Sequence, residues 1–358
     1  MIKSFFRHTK SLFFVLMKRN GIKQKKLKRI FLIIFLSSAC VFLLVNMESF
    51  SPMNIESCIK EVTSKNLNSF NFPYKIVGRN LYCENFKDLD KGVALVSDTC
   101  FECFNSKGRR LNRVQHGFQL PILKSSQSRA LVYDLGGKNF EINSRSSNIY
   151  KGVADNSIIT ANVCDNGTYG IVTEYKGFLS QMNIYAKNNR EIFKYDFANH
   201  YITDIAFSKN GKLVAAVGAT SNEGTLSSSL YVFNYKESKP KLKFDYDDNM
   251  FISVSYLSNG NIIAVGNKLV SVINVYKGTK SDYNYEGKSL TAFDINESDG
   301  IVFSLSISED GSDSELYFIN KKGKLEKNIK TRNNIKSISI KCGKIACLSY
   351  GEVYMYNF

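Results

Sequence analysis

Cysteine is the residue type in this sequence that suggests chemistry most directly. Cys100 and Cys103 stand in the stretch Cys-Phe-Glu-Cys, a spacing shared by zinc sites and redox motifs. A zinc site needs a second cysteine pair and a thioredoxin-like site needs a βαβ unit, and the surrounding sequence supplies neither. Residues three apart on a strand point to opposite faces, so the sequence does not favour a bridge or a redox role. We expect three further cysteines, in or beside apolar strands, to be small buried hydrophobes: Cys164, Cys342 and Cys347.

The remaining candidates for catalysis, metal binding and phosphate binding are isolated in the sequence. His8, His116 and His200 are the only histidines, and none has a local partner for a catalytic triad or a metal site. The acidic run Asp245–Asn249 lacks the glycine and the distal glutamate of an EF-hand loop, which favours a solvated turn. Leu135–Asn139 is typical of a hairpin turn, since no helix follows it to hold a phosphate. The sequence therefore predicts no catalytic residue, no cofactor and no metal site, and a protein that is not an enzyme.

The elements that position these residues are short β-strands arranged in a repeat. With 26 Phe, 20 Tyr and only 4 Pro, the composition favours strands over helices. A sequence motif recurs from Ile158 onward: a strand, a polar turn with glycine and a second, apolar strand. The turn glycines of successive motifs are 44, 49, 40 and 43 residues apart. Asn-Gly and Asp-Gly pairs supply the positive φ that tight hairpins need. The turn glycines are Gly167, Gly211, Gly260, Gly300 and Gly343.

Four strands in a period of about 40–45 residues are typical of one blade of a β-propeller. Two earlier segments, Asn80–Arg113 and Pro121–Ser144, fit the same pattern, which gives seven four-stranded blades. The last repeat ends at Phe358 after only three strands. A strand near Phe70–Val77 would complete that blade and close the ring. A β-sandwich is the alternative, but sandwiches lack this self-similarity. The predicted fold class is all-β, a β-propeller preceded by one N-terminal transmembrane helix.

A charge-free apolar run from Ile30 to Val45 predicts a membrane anchor, because snorkelling of the basic residues before it can extend its reach. Ten basic residues and no acid precede the run, so the N-terminus is expected in the cytoplasm and the propeller outside it. The predicted division is a basic cytoplasmic tail (1–29), a transmembrane helix (30–47), a linker (48–69) and the propeller (70–358). The anchor residues are Ile30, Phe31, Leu36, Cys40, Leu44 and Val45, and the basic flank is Lys25, Lys26, Lys28 and Arg29.

Two alternatives to a permanent anchor remain open. A cleaved signal peptide is disfavoured because no small-x-small cleavage site follows Val45. A lipoprotein signal ending at Cys40 is disfavoured because Leu36 stands one place too far from it and the apolar run continues beyond the cysteine.

The net charge of +16 is concentrated in the N-terminal tail, which leaves +6 for the rest of the chain. A short basic tail against an apolar run indicates attraction to anionic lipid. Nucleic-acid binding would need a basic patch on a folded face, and the remaining charge looks too dispersed along the sequence to form one. We therefore expect membrane lipid and a protein of the cell envelope as partners, and no nucleic acid.

Four features of the sequence resemble those of a known family. They are the basic tail, the single span, the hairpins of the form Ser-x-Asn-Gly-x-x-x-Ala-Val and the terminal stretch Ile345–Phe358. The chain resembles uncharacterised membrane-anchored propeller proteins of Gram-positive bacteria, a domain of unknown function that is distantly similar to quinoprotein-type and WD40-like propellers. The resemblance covers residues 30–358. The chain departs from the WD40 pattern, since it has no Trp and no regular Gly-His pair. The resemblance implies a propeller fold and a bacterial surface location, and assigns no activity to any residue.

These observations lead to two hypotheses on function. The first is a single-pass membrane protein whose extracytoplasmic propeller is a non-catalytic protein-interaction scaffold at the cell envelope. The alternative is a ligand-binding receptor or a quinoprotein-like enzyme that uses the propeller channel, an analogy that rests on fold alone. The absence of Trp, which such an enzyme would use for stacking, favours the first.

Overall fold

The structure is a computed structural model with two units, Met1–Lys65 and Asn66–Phe358. It describes residues 32–34, 36–38, 75–78, 82–89, 92–106, 108–222, 224–308, 313–331 and 334–357.

In the first unit, the described residues 32–34 and 36–38 are helical. Among the described residues, no helix is both long and apolar enough to cross a membrane.

The described residues of the second unit form 27 β-strands in seven antiparallel sheets, which we number as blades 1 to 7. Blade 1 is β1 (Phe86–Leu89), β2 (Gly92–Val96), β3 (Cys100–Asn105) and β4 (Arg110–Gln115). Blade 2 is β5 (Pro121–Ser125), β6 (Ala130–Asp134), β7 (Asn139–Asn143) and β8 (Asn148–Val153). Blade 3 is β9 (Ile158–Val163), β10 (Tyr169–Tyr175), β11 (Phe178–Tyr185) and β12 (Glu191–Phe197).

The remaining blades repeat this plan. Blade 4 is β13 (Tyr201–Phe207), β14 (Leu213–Asn222), β15 (Thr225–Asn234) and β16 (Leu242–Asp247). Blade 5 is β17 (Phe251–Tyr256), β18 (Ile262–Gly266), β19 (Leu269–Asn274) and β20 (Thr279–Asn284). Blade 6 is β21 (Ser289–Asn296), β22 (Gly300–Ser306), β23 (Ser314–Asn320) and β24 (Leu325–Lys330), and blade 7 is β25 (Ser337–Lys341), β26 (Lys344–Ser349) and β27 (Glu352–Asn357). A single 3₁₀ turn, Cys83–Asn85, precedes β1.

Within each blade the strands follow one another in chain order from the ring axis outward. The first strands of neighbouring blades contact each other, as β9, β13 and β17 do, and they therefore form the innermost layer. The second strands β18 and β22 are buried at every residue, whereas the fourth strands β20 and β24 are almost wholly exposed. The predicted all-β propeller of seven blades is confirmed.

The hydrophobic core consists of layers between consecutive blades. Six clusters of buried apolar side chains are found among the described residues, one at each junction from blades 1 and 2 to blades 6 and 7. The start of β14 is continuously apolar because both of its faces are buried. Val214 and Ala216 face blade 3, while Ala215 and Val217 face blade 5, because successive side chains point to opposite faces.

Polar side chains near the axis tie each blade to the next. Asn85 accepts from the backbone N–H of Leu123 at 2.8 Å, and the Asn162 amide donates to the carbonyl of Ile205 at 2.7 Å. Backbone groups of diverging inner strands need such partners, since they have no sheet neighbour on that side.

Blade 7 has three strands among the described residues, as its sequence predicts. The strand expected near Phe70–Val77 to complete it falls largely outside the described residues. The described end of that segment, residues 75–78, is not in a strand. The carbonyl of Val77 instead accepts from the Thr99 hydroxyl of blade 1 at 3.3 Å, so any completing strand must end before residue 75.

One expectation about the cysteines is wrong. Cys164 and Cys347 are buried, but Cys342 is exposed, because it occupies the turn between β25 and β26 with a φ of 50°. Cys100 and Cys103 both lie on β3 with no exposed surface.

Candidate functional site

The innermost strands carry an ion pair that joins blades 2 and 4. Lys124 Nζ on β5 lies 2.9 Å from Asp204 Oδ1 on β13, and Asp204 Oδ2 accepts from the backbone N–H of Val254 in blade 5 at 3.1 Å. Burial alone would lower the pKa of Lys124, but attraction to Asp204 and Tyr133 raises it overall. Lys124 is therefore held in its charged form, and the contacts of Asp204 tie blades 2, 4 and 5 together.

A second inner carboxylate, Asp294 on β21, joins blades 6 and 7. Its Oδ2 accepts from the backbone N–H of Ile340 at 2.8 Å and its Oδ1 from that of Ile295 at 3.0 Å. Burial raises the pKa of Asp294 in spite of these hydrogen bonds. A carboxyl group with a raised pKa is one sign of a functional acid, but here both oxygens are occupied by backbone donors.

A small cavity lies where the first-to-second-strand turns of blades 2 to 6 meet near the axis. It measures about 140 Å³ and is lined by Cys164, Asp165, Lys209 and Glu297 among others. Burial and the nearby Asp165 raise the pKa of Glu297. Burial also raises the pKa of the Cys164 thiol, which is the opposite of what an activated nucleophile requires. Sites for organic ligands usually measure roughly 300–1,000 Å³, so the cavity fits water or a small ion better than a cofactor.

Two of the three histidines, His116 and His200, form hydrogen bonds within the fold. His200 lies 2.8 Å from Ser229 Oγ through Nε2 and 3.0 Å from the Tyr231 hydroxyl through Nδ1, and Ser229 donates to Asp245. His116 Nδ1 accepts from the backbone N–H of Phe118 at 3.3 Å. Local sequence could not show the first network, because its members come from the connection between blades 3 and 4 and from two strands of blade 4.

The Ser229 network contains the residue types of a hydrolase triad in a different order. In a triad the histidine lies between serine and aspartate and accepts the serine proton. Here the only hydroxyl proton of Ser229 points to Asp245, so His200 Nε2 must donate to Ser229 and Nδ1 must accept from Tyr231. Ser229 is also 1% exposed. The arrangement stabilises the junction between blades 3 and 4 and leaves the serine without a base.

The Ser229–Asp245 contact is one member of a feature that recurs in all six four-stranded blades. A polar residue on the third strand faces its direct partner on the fourth strand and contacts it. The pairs are Glu102–Arg113, Glu141–Lys151, Gln181–Asp196, Ser229–Asp245, Ser271–Asp282 and Glu315–Lys330. Cross-strand pairs of this kind contribute roughly 0.2–1 kcal/mol each. The pattern escapes a sequence search because turns of different length separate the pair from the turn glycine.

The residues expected to form the anchor and its basic flank lie mostly outside the described residues. Leu36 is within the described helical residues and is exposed. The other nine are not described: Ile30, Phe31, Cys40, Leu44, Val45, Lys25, Lys26, Lys28 and Arg29.

Four of the five turn glycines lie in first-to-second-strand turns and Gly300 is the first residue of β22; all five have positive φ. The φ values are 86° for Gly167, 64° for Gly211, 85° for Gly260, 136° for Gly300 and 75° for Gly343. These turns contact one another around the axis, as the 3.3 Å hydrogen bond from the Asn166 amide to the carbonyl of Asn210 shows.

The two faces of the ring differ in composition. The linker face is formed by the connections between blades and by the turns between second and third strands; the turn face is formed by the other turns. Among the described residues, the turn face exposes three large apolar side chains in or next to its loops, Ile149, Tyr276 and Leu325. The linker face exposes many more: Tyr82, Phe86, Leu120, Leu135, Val153, Tyr175, Phe178, Leu179, Tyr201, Leu226, Ile252, Ile307, Tyr350 and Val353.

Four of these side chains form what we call the apolar patch, at blades 3 and 4: Tyr175, Phe178, Leu179 and Tyr201. The rings of Tyr175 and Phe178 stack with their centroids 5.8 Å apart. The Ser180 hydroxyl donates to the carbonyl of His200 at 2.9 Å, which ties the start of β11 to the residue before Tyr201. Burial and the nearby Glu174 raise the pKa of the Tyr201 hydroxyl, so a carboxylate borders the patch.

The ring of seven radially arranged sheets defines the protein as a β-propeller. The chain belongs to a family of unknown function, DUF5711, whose model matches residues 74–358. A search of curated proteins found no match.

Solved structures with similar folds share little sequence with this chain. The Dos1 propeller matches with a TM-score of 0.55 at 12% identity, over 74% of this chain and 74% of the other. Saccharomyces cerevisiae Sqt1 matches with a TM-score of 0.52 at 11% identity, over 78% of this chain and 85% of the other. A Kuenenia stuttgartiensis hydrazine synthase chain matches with a TM-score of 0.50 at 10% identity, over 81% of this chain and 99% of the other. At such identities the similarity shows the fold alone.

Proposed function

We propose that this protein is a non-catalytic interaction scaffold of the cell envelope. In this proposal, residues 30–47 anchor the chain in the cell membrane, the propeller lies outside the cytoplasm, and an envelope protein binds the apolar patch on the linker face. The observation that carries the proposal is the clustering of exposed aromatic and aliphatic side chains in that patch.

The chemistry of the apolar patch suits a protein partner. Contiguous exposed apolar side chains commonly mark interaction sites in soluble domains, and aromatic anchors dominate the energy of protein interfaces. Glu174 and Lys176 flank the patch in the same hairpin, which resembles the apolar centre and polar rim of an interface. We therefore expect a partner that presents apolar side chains surrounded by charged ones.

The inner polar groups support a non-catalytic role. Asp204 and Asp294 hold backbone N–H groups of the next blade, and Ser229 directs its proton to Asp245. Side chains with the potential for acid–base chemistry are thus engaged in contacts between blades and strands.

The partner is tested by cross-linking from two positions of equal exposure. Phe178 on the linker face and Leu325 on the turn face are each 39% exposed, so a photoreactive residue at either position has similar access. We expect a specific protein to cross-link from position 178 and not from position 325. That protein, once purified, should bind the Phe178→Ser variant on the order of 10-fold more weakly than the wild type. Equal capture from both positions, or unchanged binding by the variant, would contradict the proposal.

The exposed Cys342 can be used to test on which side of the membrane the propeller lies. In intact cells that express the full chain, a membrane-impermeant maleimide should label the wild type more than the Cys342→Ser variant. If this difference appears only after the cells are lysed, the propeller lies in the cytoplasm and the proposed topology is wrong.

A further inference from the structure

The turn face gathers lysine and arginine residues that are scattered along the sequence. Every turn between a third and a fourth strand contains at least one, in all six four-stranded blades. In the described residues these are Arg109, Arg145, Lys187, Arg190, Lys236, Lys239, Lys241, Lys277, Lys321, Lys322 and Lys324. The described residues of the same turns contain one acidic side chain, Glu237. Because the blades are equivalent around the ring, their corresponding turns lie at the same edge of each sheet and form a basic rim.

Most of these cations are not used inside the fold. Eight are exposed: Lys187, Arg190, Lys236, Lys239, Lys241, Lys277, Lys322 and Lys324. None of the eight forms an ion pair within the part of the chain that the structure describes. Lysines elsewhere do find partners, as Lys280 does with Asp282 and Lys243 with Asp245.

The equivalent turns of the linker face lack this charge. Among described residues, the turns between second and third strands contain three basic side chains, Lys138, Lys176 and Lys268, and two acidic ones, Asp98 and Asp313. Lys268 is paired with Asp248. The basic rim is therefore a property of one face and not of the whole propeller.

Two apolar side chains stand among the cations of the rim. Tyr276 is 98% exposed beside Lys277 in blade 5, and Leu325 follows Lys324 in blade 6. An aromatic residue with an apolar ring and a polar hydroxyl is suited to the boundary between lipid and water. Cations around such residues are typical of segments that lie on an anionic membrane surface.

We propose that the turn face binds an anionic lipid surface, with the basic rim at the headgroups and Tyr276 in the interfacial layer. A lipid surface can contact the exposed cations of blades 3 to 6 at once, because it extends in two dimensions as the rim does. A linear polyanion such as DNA would follow one groove and reach only part of the rim. This inference goes beyond the scaffold function, since the apolar patch lies on the other face.

The absence of Trp from the chain allows a direct test in the full-length protein. The Tyr276→Trp variant places the single indole of the protein on the turn face, and the Tyr350→Trp variant places it on the linker face as the matched control. On phosphatidylglycerol vesicles, the emission of the first variant should shift to shorter wavelength and be quenched by brominated lipid. Phosphatidylcholine vesicles should cause no such change, and 0.5 M salt should reverse it. The control should not respond to lipid charge.

The basic rim is tested with two triple variants in the Tyr276→Trp background. One removes three cations from the turn face and the other removes three from the linker face. The triple change Lys277→Gln, Lys322→Gln and Lys324→Gln should weaken the response to phosphatidylglycerol on the order of 100-fold, since each cation near a membrane contributes roughly a 5-fold factor. The matched change Lys138→Gln, Lys176→Gln and Lys268→Gln alters net charge equally on the linker face and should have little effect. An equal loss in both triple variants, or an equal shift on neutral vesicles, overturns the proposal. Binding of DNA or polyphosphate without any response to vesicles assigns the rim to a linear polyanion instead.

Discussion

Glu315 illustrates how a single charged side chain can make stability depend on pH. Its carboxylate accepts from Lys288 Nζ at 2.5 Å and from the Tyr317 hydroxyl. The hydrogen bond from Lys288, followed by that from Tyr317, lowers the pKa of Glu315. A carboxyl group with a lowered pKa in the folded state stabilises the protein above its unfolded-state pKa, and this stabilisation is lost as the pH falls through the folded-state value.

We therefore predict that Glu315→Gln lowers the free energy of unfolding by about 1–3 kcal/mol at pH 7, the range for charge-assisted hydrogen bonds to a largely buried group. The difference from wild type should shrink below about pH 4.5, where the unfolded-state carboxyl becomes protonated. Urea unfolding between pH 3 and pH 7 measures this difference in the free energy of unfolding. Glu286→Gln, in an exposed turn, is the control and should show no such pH dependence. A difference for Glu315→Gln that is constant across the range would show that the side chain acts through packing and not through charge.

The first-to-second-strand turns allow a comparison between two glycines that the sequence treats as equivalent. At Gly260 the φ is 85° and an added Cβ meets nothing within 4 Å. At Gly300 the φ is 136° and an added Cβ would lie 2.1 Å from the backbone oxygen of Ile319. We predict that Gly260→Ala costs about 1–2 kcal/mol from backbone strain alone.

Gly300→Ala should cost at least about 3 kcal/mol, because a backbone collision adds to the strain of a conformation that is nearly restricted to glycine. Urea unfolding of both purified variants measures the difference. Equal losses would mean that β23 moves away from the turn at little cost, contrary to the tight packing of blade 6.

Features that depend on local chemistry could be predicted from the sequence, and the turn glycines are the clearest case. The requirement for positive φ acts within three or four residues, so Asn-Gly and Asp-Gly pairs locate the turns without a structure. The alternation on β14 is similarly local, since each residue faces one neighbouring blade or the other. The turn glycines locate blades 3 to 7, and the strand pattern of the two earlier segments adds blades 1 and 2.

Features that depend on contacts between distant residues could not be predicted. His200 meets Ser229 and Tyr231 only when the connection from blade 3 lies against β15. Cys342 resembles a buried residue because apolar strands flank it, but it occupies the turn itself. The basic rim is invisible in the sequence because its cations are separated by whole blades and only the equivalence of the blades brings them to one edge.

At the scale of the whole propeller, the two faces offer different chemistries to different partners. The linker face presents the apolar patch and the turn face presents the basic rim, with the sheets between them. A protein that binds the patch therefore does not compete with a surface that binds the rim. Such a propeller can hold a partner protein near an anionic surface without any chemical step, which joins the two proposals into one working hypothesis.

Closure of the ring is the remaining question at this scale. Blade 7 ends on β27, whose Val353 and Met355 are 68% and 61% exposed, and no described strand pairs with its outer edge. An ion pair of 3.6 Å between Lys341 and Asp88 links blade 7 to blade 1. An open strand edge invites pairing with another chain. The strand that the sequence predicts near Phe70–Val77, which falls largely outside the described residues, would complete blade 7 and join the two ends of the propeller.

Hydrogen exchange measured by mass spectrometry tests this closure in the full-length protein. If a fourth strand pairs with β27, the outward amides of Glu352–Asn357 should exchange slowly, at rates comparable with those of β23 in blade 6, which is covered on both sides. Deletion of residues 66–74 should raise exchange at β27 and at the contact between blades 7 and 1, while blades 3 to 5 keep their protection because their packing is unchanged. Deletion of an equal length within residues 48–65 is the control and should leave β27 protected. Rapid exchange of β27 in the wild type would contradict the prediction, and would mean that blade 7 presents an open edge that is free to bind a strand from another protein.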